Sequence, residues 1–423
     1  MSASSLAEPI SVAMPVASQT DAPPWNLALR IAFRFIFSFL VLFNFPFPLD
    51  LVPFVSDAVS SAINAAIVVV GNSVFHIAVD TTFNGSGDRT ANWIFLLIVV
   101  ALSSASTLVW SIVDRKAVSY PKLWRWFHVY IRFALAVAMI GYGAYKVIPS
   151  QFVAPGLDRL LQPFGNASPM GLLWTFMGAS AGYTMFSGFG ELIGGLLLTN
   201  RRTALLGALI TAAVMTQVVA LNFFYDVPVK IYASLLLFTA LVIAAPDAKR
   251  LLRFFVLDRP SESLFTNRKM RIAARVLVVL FVGYSGYSQF SASWEQRQRL
   301  LTQRLAKSPF SGIWNVADST GAADWRRLVV AGPGWGAIQS SDDTLTRYLI
   351  AFDETKKTVV FKKRIDPKFE ATMQFTRPDA KTLTLDGTFE GKHVAATLHR
   401  SDDRTFLLTS RGFHWINEVP FNR

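Results

Sequence analysis

The chain has 423 residues, 52% of them hydrophobic and 16% charged, with a formal net charge of +13 and no cysteine. The missing cysteine excludes disulfides, thiol nucleophiles, thiolate metal sites and iron–sulfur ligation by this chain. Much of the positive charge sits in short segments between apolar runs, where basic residues set membrane orientation, which argues against nucleic acid as a partner.

Residues 1–26 are rich in Ala, Ser and Pro without periodicity and are predicted to form a disordered tail. Apolar runs of about 18 residues or more read as membrane-spanning helices. About seven are expected, the first over roughly 28–48, with Arg30 and Arg34 near its start. Its long polar lead favours an uncleaved span over a signal peptide. After "FPFPLDLVPF" comes "VSSAINAAIVVVGNSVFHIAV", bordered by Asp57 and Asp80. That stretch reads as an amphipathic surface helix or a re-entrant segment, and a full span there would invert everything downstream.

The next spans fall at about 92–113, 127–148, 181–199, 203–223, 229–246 and 271–289. "GLLWTFMGAS" is predicted to be a short interfacial helix. The basic stretches "DRKAVSYPKLWRW", "NRR" and "DAKRLLRFFVLDRPSESLFTNRKMR" follow the second, fourth and sixth spans, so they share one side with Arg30 and Arg34. The positive-inside rule makes that side cytoplasmic, with the amino terminus inside and the carboxyl terminus outside.

The last span continues into a polar helix, "SWEQRQRLLTQRLAKS". From Phe310 onward apolar and polar residues alternate in short runs between turns: "GIWNVA", "RRLVVA", "TRYLIAF", "TVVFKK", "ATMQFT", "TLTLDGTF", "HVAATL" and "TFLLTS". About eight or nine evenly spaced strands argue a small closed antiparallel barrel. "RGFHWINEVPFNR", with Arg411, Trp415 and Arg423, is expected to be the closing strand with a tail, packing in the barrel or docking back onto the membrane part. The opening "SGIW" resembles the Gly-x-Trp entry strand of lipocalin-like barrels, with Gly312 and Trp314 in that pattern. The expected fold is therefore an α-helical polytopic membrane bundle plus a C-terminal all-β barrel. Its parts are a tail (1–26), two spans with an outer amphipathic segment (27–126), a four-helix core (127–250), a basic loop with the seventh span and a linker (251–309), and an extracytoplasmic barrel (310–423).

Glu191 is the one carboxylate in the apolar run "SGFGELIGGLLLTNRR". An acid at the centre of a membrane helix costs roughly 2.5–3.5 kcal/mol. It must face the bundle interior and be protonated, paired or both. The partner matched in depth is Lys146, near the outer end of the third span, whose long stem can snorkel. Two roles stay open for this pair: a lock between helices, which the surrounding glycines suit, or a proton-handling or ligand-binding group in an outward cavity. Tyr142, Tyr183, Asp226 and Lys230 fall at the same outer face and are the other candidates, as a polar mouth above Glu191. Tyrosines there also suit a plain interfacial belt, and Asp226 plain turn chemistry. "GASAG" around Ser180 has Gly-x-Ser-x-Gly spacing but leads into a span, so helix packing is its reading. "GPGWG" lacks the Lys-Ser/Thr of a phosphate loop. The five histidines show no metal-binding spacing, and no metal is expected.

Residues 127–250 resemble the DoxX family of small bacterial four-helix membrane proteins. The resemblance rests on "RFALAVAMIGYGAYKVIP", with Gly141, Gly143 and Lys146, and on "GELIGGLLLTNRRTALLGALI", with Glu191, Gly194, Gly195 and Arg202. The small-residue helix "AAVMTQVVALNF" adds to it. The family takes its name from a membrane subunit of a thiosulfate:quinone oxidoreductase. The resemblance implies a bacterial cytoplasmic-membrane protein, a quinone as the cofactor to consider, and a partner oxidoreductase. Whether the chain is itself an enzyme stays open, since no redox motif of its own is visible. Beside a quinone- or lipid-linked subunit stand two alternatives: a carrier for a lipophilic or small solute, and an envelope assembly protein whose barrel recruits partners.

Overall fold

The computed structural model describes residues 24–49, 53–82, 85–255, 270–303, 308–321, 324–332, 334–363, 366, 369–401 and 406. The chain divides into two compact units, 1–84 with 89–131, and 85–88 with 132–423.

The first unit is built on α1 (Leu27–Asn44), α2 (Pro53–Val74) and α3 (Thr90–Val113). α1 and α3 run antiparallel. The start of α1 meets the end of α3, where Arg34 donates to Ser111 Oγ (2.8 Å), to the Asp114 carbonyl (2.9 Å) and to the Tyr120 hydroxyl. Tyr120 in turn donates to the Asp114 carboxylate (3.0 Å), so a buried arginine is satisfied by a local network. The other ends meet through Phe43 and Phe95, whose ring centroids lie 6.0 Å apart. α2 packs the second half of its length on the start of α3, with Ile67 against Ala91 and Ile94.

The second unit holds most of α4 (Pro121–Val147), then α5 (Leu157–Leu160), α6 (Pro169–Ala179), α7 (Ala181–Thr199), α8 (Ala204–Phe224), α9 (Lys230–Ala244), α10 (Ala248–Phe255) and α11 (Met270–Gln303). α4 and α7 cross at glycines. A Cβ on Gly143 would stand 2.7 Å from Leu192 N, and one on Gly188 would stand 2.6 Å from the Lys146 Cβ. Small residues let the two backbones approach where no hydrophobic force drives helices together. α8 packs antiparallel on α7, with Gly207 against Leu198 and Gly194 against Thr211. α11 lies parallel to α4 in a steady register: Phe133 meets Phe281 (5.4 Å), Gly141 meets Gln289, and Arg297 donates to the Pro149 carbonyl (2.8 Å).

Seven helices among the described residues are long and apolar enough to cross a membrane: α1, most of α2, α3, α4, α8, α9 with its continuation, and the later part of α11. They fit a multi-pass membrane protein. This seven differs from the sequence expectation by one exchange, α2 for α7. Glu191 and the glycines of α7 lower its apolarity, although it packs lengthwise between α4 and α8 like its neighbours. The predicted interfacial helix is α6.

The carboxyl-terminal part is a closed eight-stranded antiparallel barrel in which each strand pairs with the next and β8 pairs with β1. The strands are β1 (Gly312–Thr320), β2 (Trp325–Gly332), β3 (Trp335–Ser340), β4 (Leu345–Asp353), β5 (Thr358–Lys363), β6 (Glu370–Thr376), β7 (Thr382–Phe389) and β8 (Lys392–Ser401). Two expectations are corrected. β3 was not read from the sequence, because "WGAIQS" is short and directly follows the Gly-rich turn. The barrel is closed by β8, not by "RGFHWINEVPFNR", which lies outside the described residues, as does most of "TFLLTS". The interior is filled by side chains that include Trp314, Leu328, Phe361 and Met373. Trp314 is fully buried, donates from Nε1 to the Phe310 carbonyl (2.8 Å) and lies under the Arg400 guanidinium (5.8 Å).

Candidate functional site

The Lys146–Glu191 ion pair forms, between α4 and α7, with both residues buried at 7% and 2% exposure. The local sequence explains the meeting. Lys146 stands one turn past Gly143 and Glu191 one turn past Gly188, so the glycine crossing brings both side chains to one level. Taking two charges out of water costs several kcal/mol per ion, and their attraction repays it only when the remaining polar atoms are satisfied as well. Here they are not: Glu191 Oε2 is buried without a hydrogen-bond partner.

The pair lines a cavity of about 630 Å³ enclosed by α4, α6, α7, α8, α9 and the segment after α4. Tyr142, Tyr183, Tyr232, Gln151, Gln217 and Asn222 contribute polar groups, and the rest of the wall is mainly apolar, with Phe152, Trp174 and Met177 on one side. Volumes of about 300–1,000 Å³ are those of small-molecule sites. Gln151 Oε1 is a second buried acceptor without a partner.

Of the six residues picked from the sequence, the structure gathers Glu191, Lys146, Tyr142 and Tyr183 around this cavity. Asp226 and Lys230 are not among its lining residues. Lys230 pairs with Asp226 (2.8 Å), at an exposed turn, and with Asp88 (3.7 Å). Asp88 also accepts from the backbone N–H groups of Lys230 (2.8 Å) and Ile231 (3.1 Å), capping α9. This trio serves as helix-end chemistry. Ser180 likewise caps α7 by accepting from Tyr183 N (3.3 Å), in line with a helix joint rather than a nucleophile. Gln151 and Gln217 were missed, since a lone glutamine carries no sequence pattern. Arg132 was missed too. It is buried and donates to the Leu198 carbonyl (2.8 and 3.0 Å) and the Thr199 carbonyl (3.2 Å), closing the carboxyl end of α7. His393 stands by Asp386 (3.4 Å) and His399 by Thr382 (3.4 Å), apart from the cavity, and His414 lies outside the described residues.

The barrel has a second face of interest. Ile313, Val329 and Ala337 sit side by side on neighbouring strands, with Arg347 next in the row. Their side chains point out of the barrel, yet the three apolar ones are buried, packed with Leu161. Arg347 donates to Asp158 (2.7 Å) and Gln162 (3.1 Å). The barrel thus holds the segment around α5 on its outer surface.

Helices of membrane-crossing length, a buried ion pair in an apolar cavity and a filled barrel define the class: a polytopic helical protein with an appended eight-stranded barrel. The chain belongs to the family of the "Uncharacterized protein YwoB" of Bacillus subtilis (strain 168), with which it shares 32% identity over 126 residues, 29% of this chain and 79% of that protein. No family model and no solved structure matches the chain.

Proposed function

We propose that the helical bundle binds a lipophilic small molecule beside Glu191 and Lys146, and that the protein acts as a DoxX-like, quinone- or lipid-linked membrane subunit of an oxidoreductase system. The observation that carries the binding half is the cavity itself, apolar in most of its wall, with a buried ion pair whose carboxylate keeps one oxygen unsatisfied. A pair serving only as a helix lock has no need of a cavity next to it. The oxidoreductase half rests on the resemblance in residues 127–250. Of the two redox forms, the reduced quinol fits the cavity chemistry, as a flat apolar ring whose hydroxyls can donate to the Glu191 carboxylate.

The proposed setting is a bacterial cytoplasmic membrane with the amino terminus inside and the barrel outside. Helix directions support it. α4, α8 and α11 run one way and α7 and α9 the other, so Arg201, Arg202, Arg250 and Arg253 gather at the end where α4 begins. The second reading is a carrier that loads from the bundle. The filled barrel interior weighs against a hand-over into the barrel.

Mass spectrometry of small molecules retained by the gently solubilised protein tests this, with Glu191→Gln as control. The expected result is a defined quinone or lipid in the parent that is depleted in the variant. Equal retention by both, or nothing specific in either, would overturn it.

A further inference from the structure

Three features of the cavity constrain its ligand more tightly. The first is its mouth. Phe186, Phe189 and Ile193 line the cavity, yet they are 72%, 43% and 47% exposed on the outer side of α7. Across from them stands Gln217 on α8, also exposed and among Val214, Val218 and Leu221. The opening therefore lies on the flank of the bundle between α7 and α8, the side that an apolar phase covers. A glutamine on such a flank is costly unless something polar meets it.

The second feature is charge. Among the described lining residues only Lys146 and Glu191 are charged, and they neutralise each other. An anionic head would face the Glu191 carboxylate, and a cationic head the Lys146 ammonium. Either would leave a buried charge uncompensated, which is strongly unfavourable. The third is hydrogen-bond polarity. The cavity wall holds two buried acceptors without partners, Glu191 Oε2 and Gln151 Oε1. Buried polar groups are nearly always paired, so the complementary head is a donor.

We propose that the ligand is an uncharged lipid-phase alcohol or phenol, which enters sideways between α7 and α8 and donates its hydroxyl to the Glu191 carboxylate. This rests on the cavity being a ligand site. It excludes water-borne solutes, fatty acids and anionic phospholipids as occupants.

The test uses the full-length protein in phosphatidylcholine nanodiscs and three photoactivatable diazirine probes with the same hydrocarbon chain: hexadecanol, its methyl ether and hexadecanoic acid. Cross-linked peptides are mapped by mass spectrometry. The expected result is labelling of cavity-lining α7 and α8 peptides by the alcohol, competed by plain hexadecanol, at about tenfold or more over ether and acid. Gly190→Leu places a side chain at the mouth, where a Cβ would stand 3.3 Å from Val214, and should abolish this labelling. Val214→Trp does the same from α8 should the first variant fail to fold. Labelling by the acid equal to the alcohol would overturn the uncharged head, and labelling by the ether equal to the alcohol would overturn the donor. Undiminished labelling in the mouth variants would overturn sideways entry. Labelling of the cavity by none of the probes would instead overturn the ligand site itself.

Discussion

The two ends of the α4/α7 pair each bury a cation, and they use it differently. At one end Arg132 gives its donors to the carbonyls that close α7, which would otherwise have no partner. At the other end Lys146 meets an acid that still has an oxygen to spare, beside an apolar cavity. A helix-locking role fits the first site completely. The second has polar capacity left over beside an apolar cavity, which is what the proposed ligand site draws on.

Three substitutions sharpen or break this contrast. The largest effect is expected from Lys146→Met. It strands a buried carboxylate and should cost about 3–5 kcal/mol. Adding Glu191→Gln should restore most of that, as read by denaturant unfolding in bicelles. A double variant no more stable than Lys146→Met alone would show that the pair does not act as a unit. Arg132→Met should cost less, on the order of 1.5–3 kcal/mol, the usual worth of hydrogen bonds from a charged donor. It should leave small-molecule retention unchanged; loss of retention with the fold intact would erase the distinction between the two ends.

The smallest effect lies in the barrel, where turn carboxylates accept from backbone N–H groups. The backbone N–H of Lys381 donates to Asp379 (2.6 Å) and, with Thr382, holds its carboxyl below the usual carboxylate range. A depressed folded value means stability that is present above the unfolded value of about 3.9 and is lost as pH falls through the folded one. Asp379→Ala should therefore lower the barrel's unfolding midpoint at about pH 7 and converge with the parent near pH 2. A constant offset at every pH would show that the turn, not the charge, carries the effect.

Much of this was legible in the sequence. Apolar runs and loop charge marked the helices, and period-two alternation marked most of the strands. The Lys146–Glu191 pair followed from depth matching, since few residues in apolar helices carry charge. The rest was hidden for physical reasons. Gln151 and Gln217 acquire meaning only through the cavity they line. Arg132 reads like any basic residue near a helix start until its target carbonyls, some 66 residues away, are in place. Asp226 and Lys230 looked like part of the site because proximity to the outer face says nothing about which way a turn closes, and Asp88 claims Lys230. β3 was lost because a strand of six residues beside glycines carries too little alternation to register.

The segment between α4 and α6 is held by partners far along the chain. Arg297 and Gln296 of α11 bind the carbonyls of Pro149 and Ser150, 148 and 146 residues downstream, and Arg347 of the barrel grips Asp158 from 189 residues away. During synthesis at about 5–20 residues per second, those fasteners emerge roughly 7–40 s after the segment they hold. The cavity is thus walled by its helices well before the chain above it is pinned. Biosynthesis itself supplies an interval in which the helices that wall the pocket are complete and the segment between α4 and α6 still awaits its fasteners.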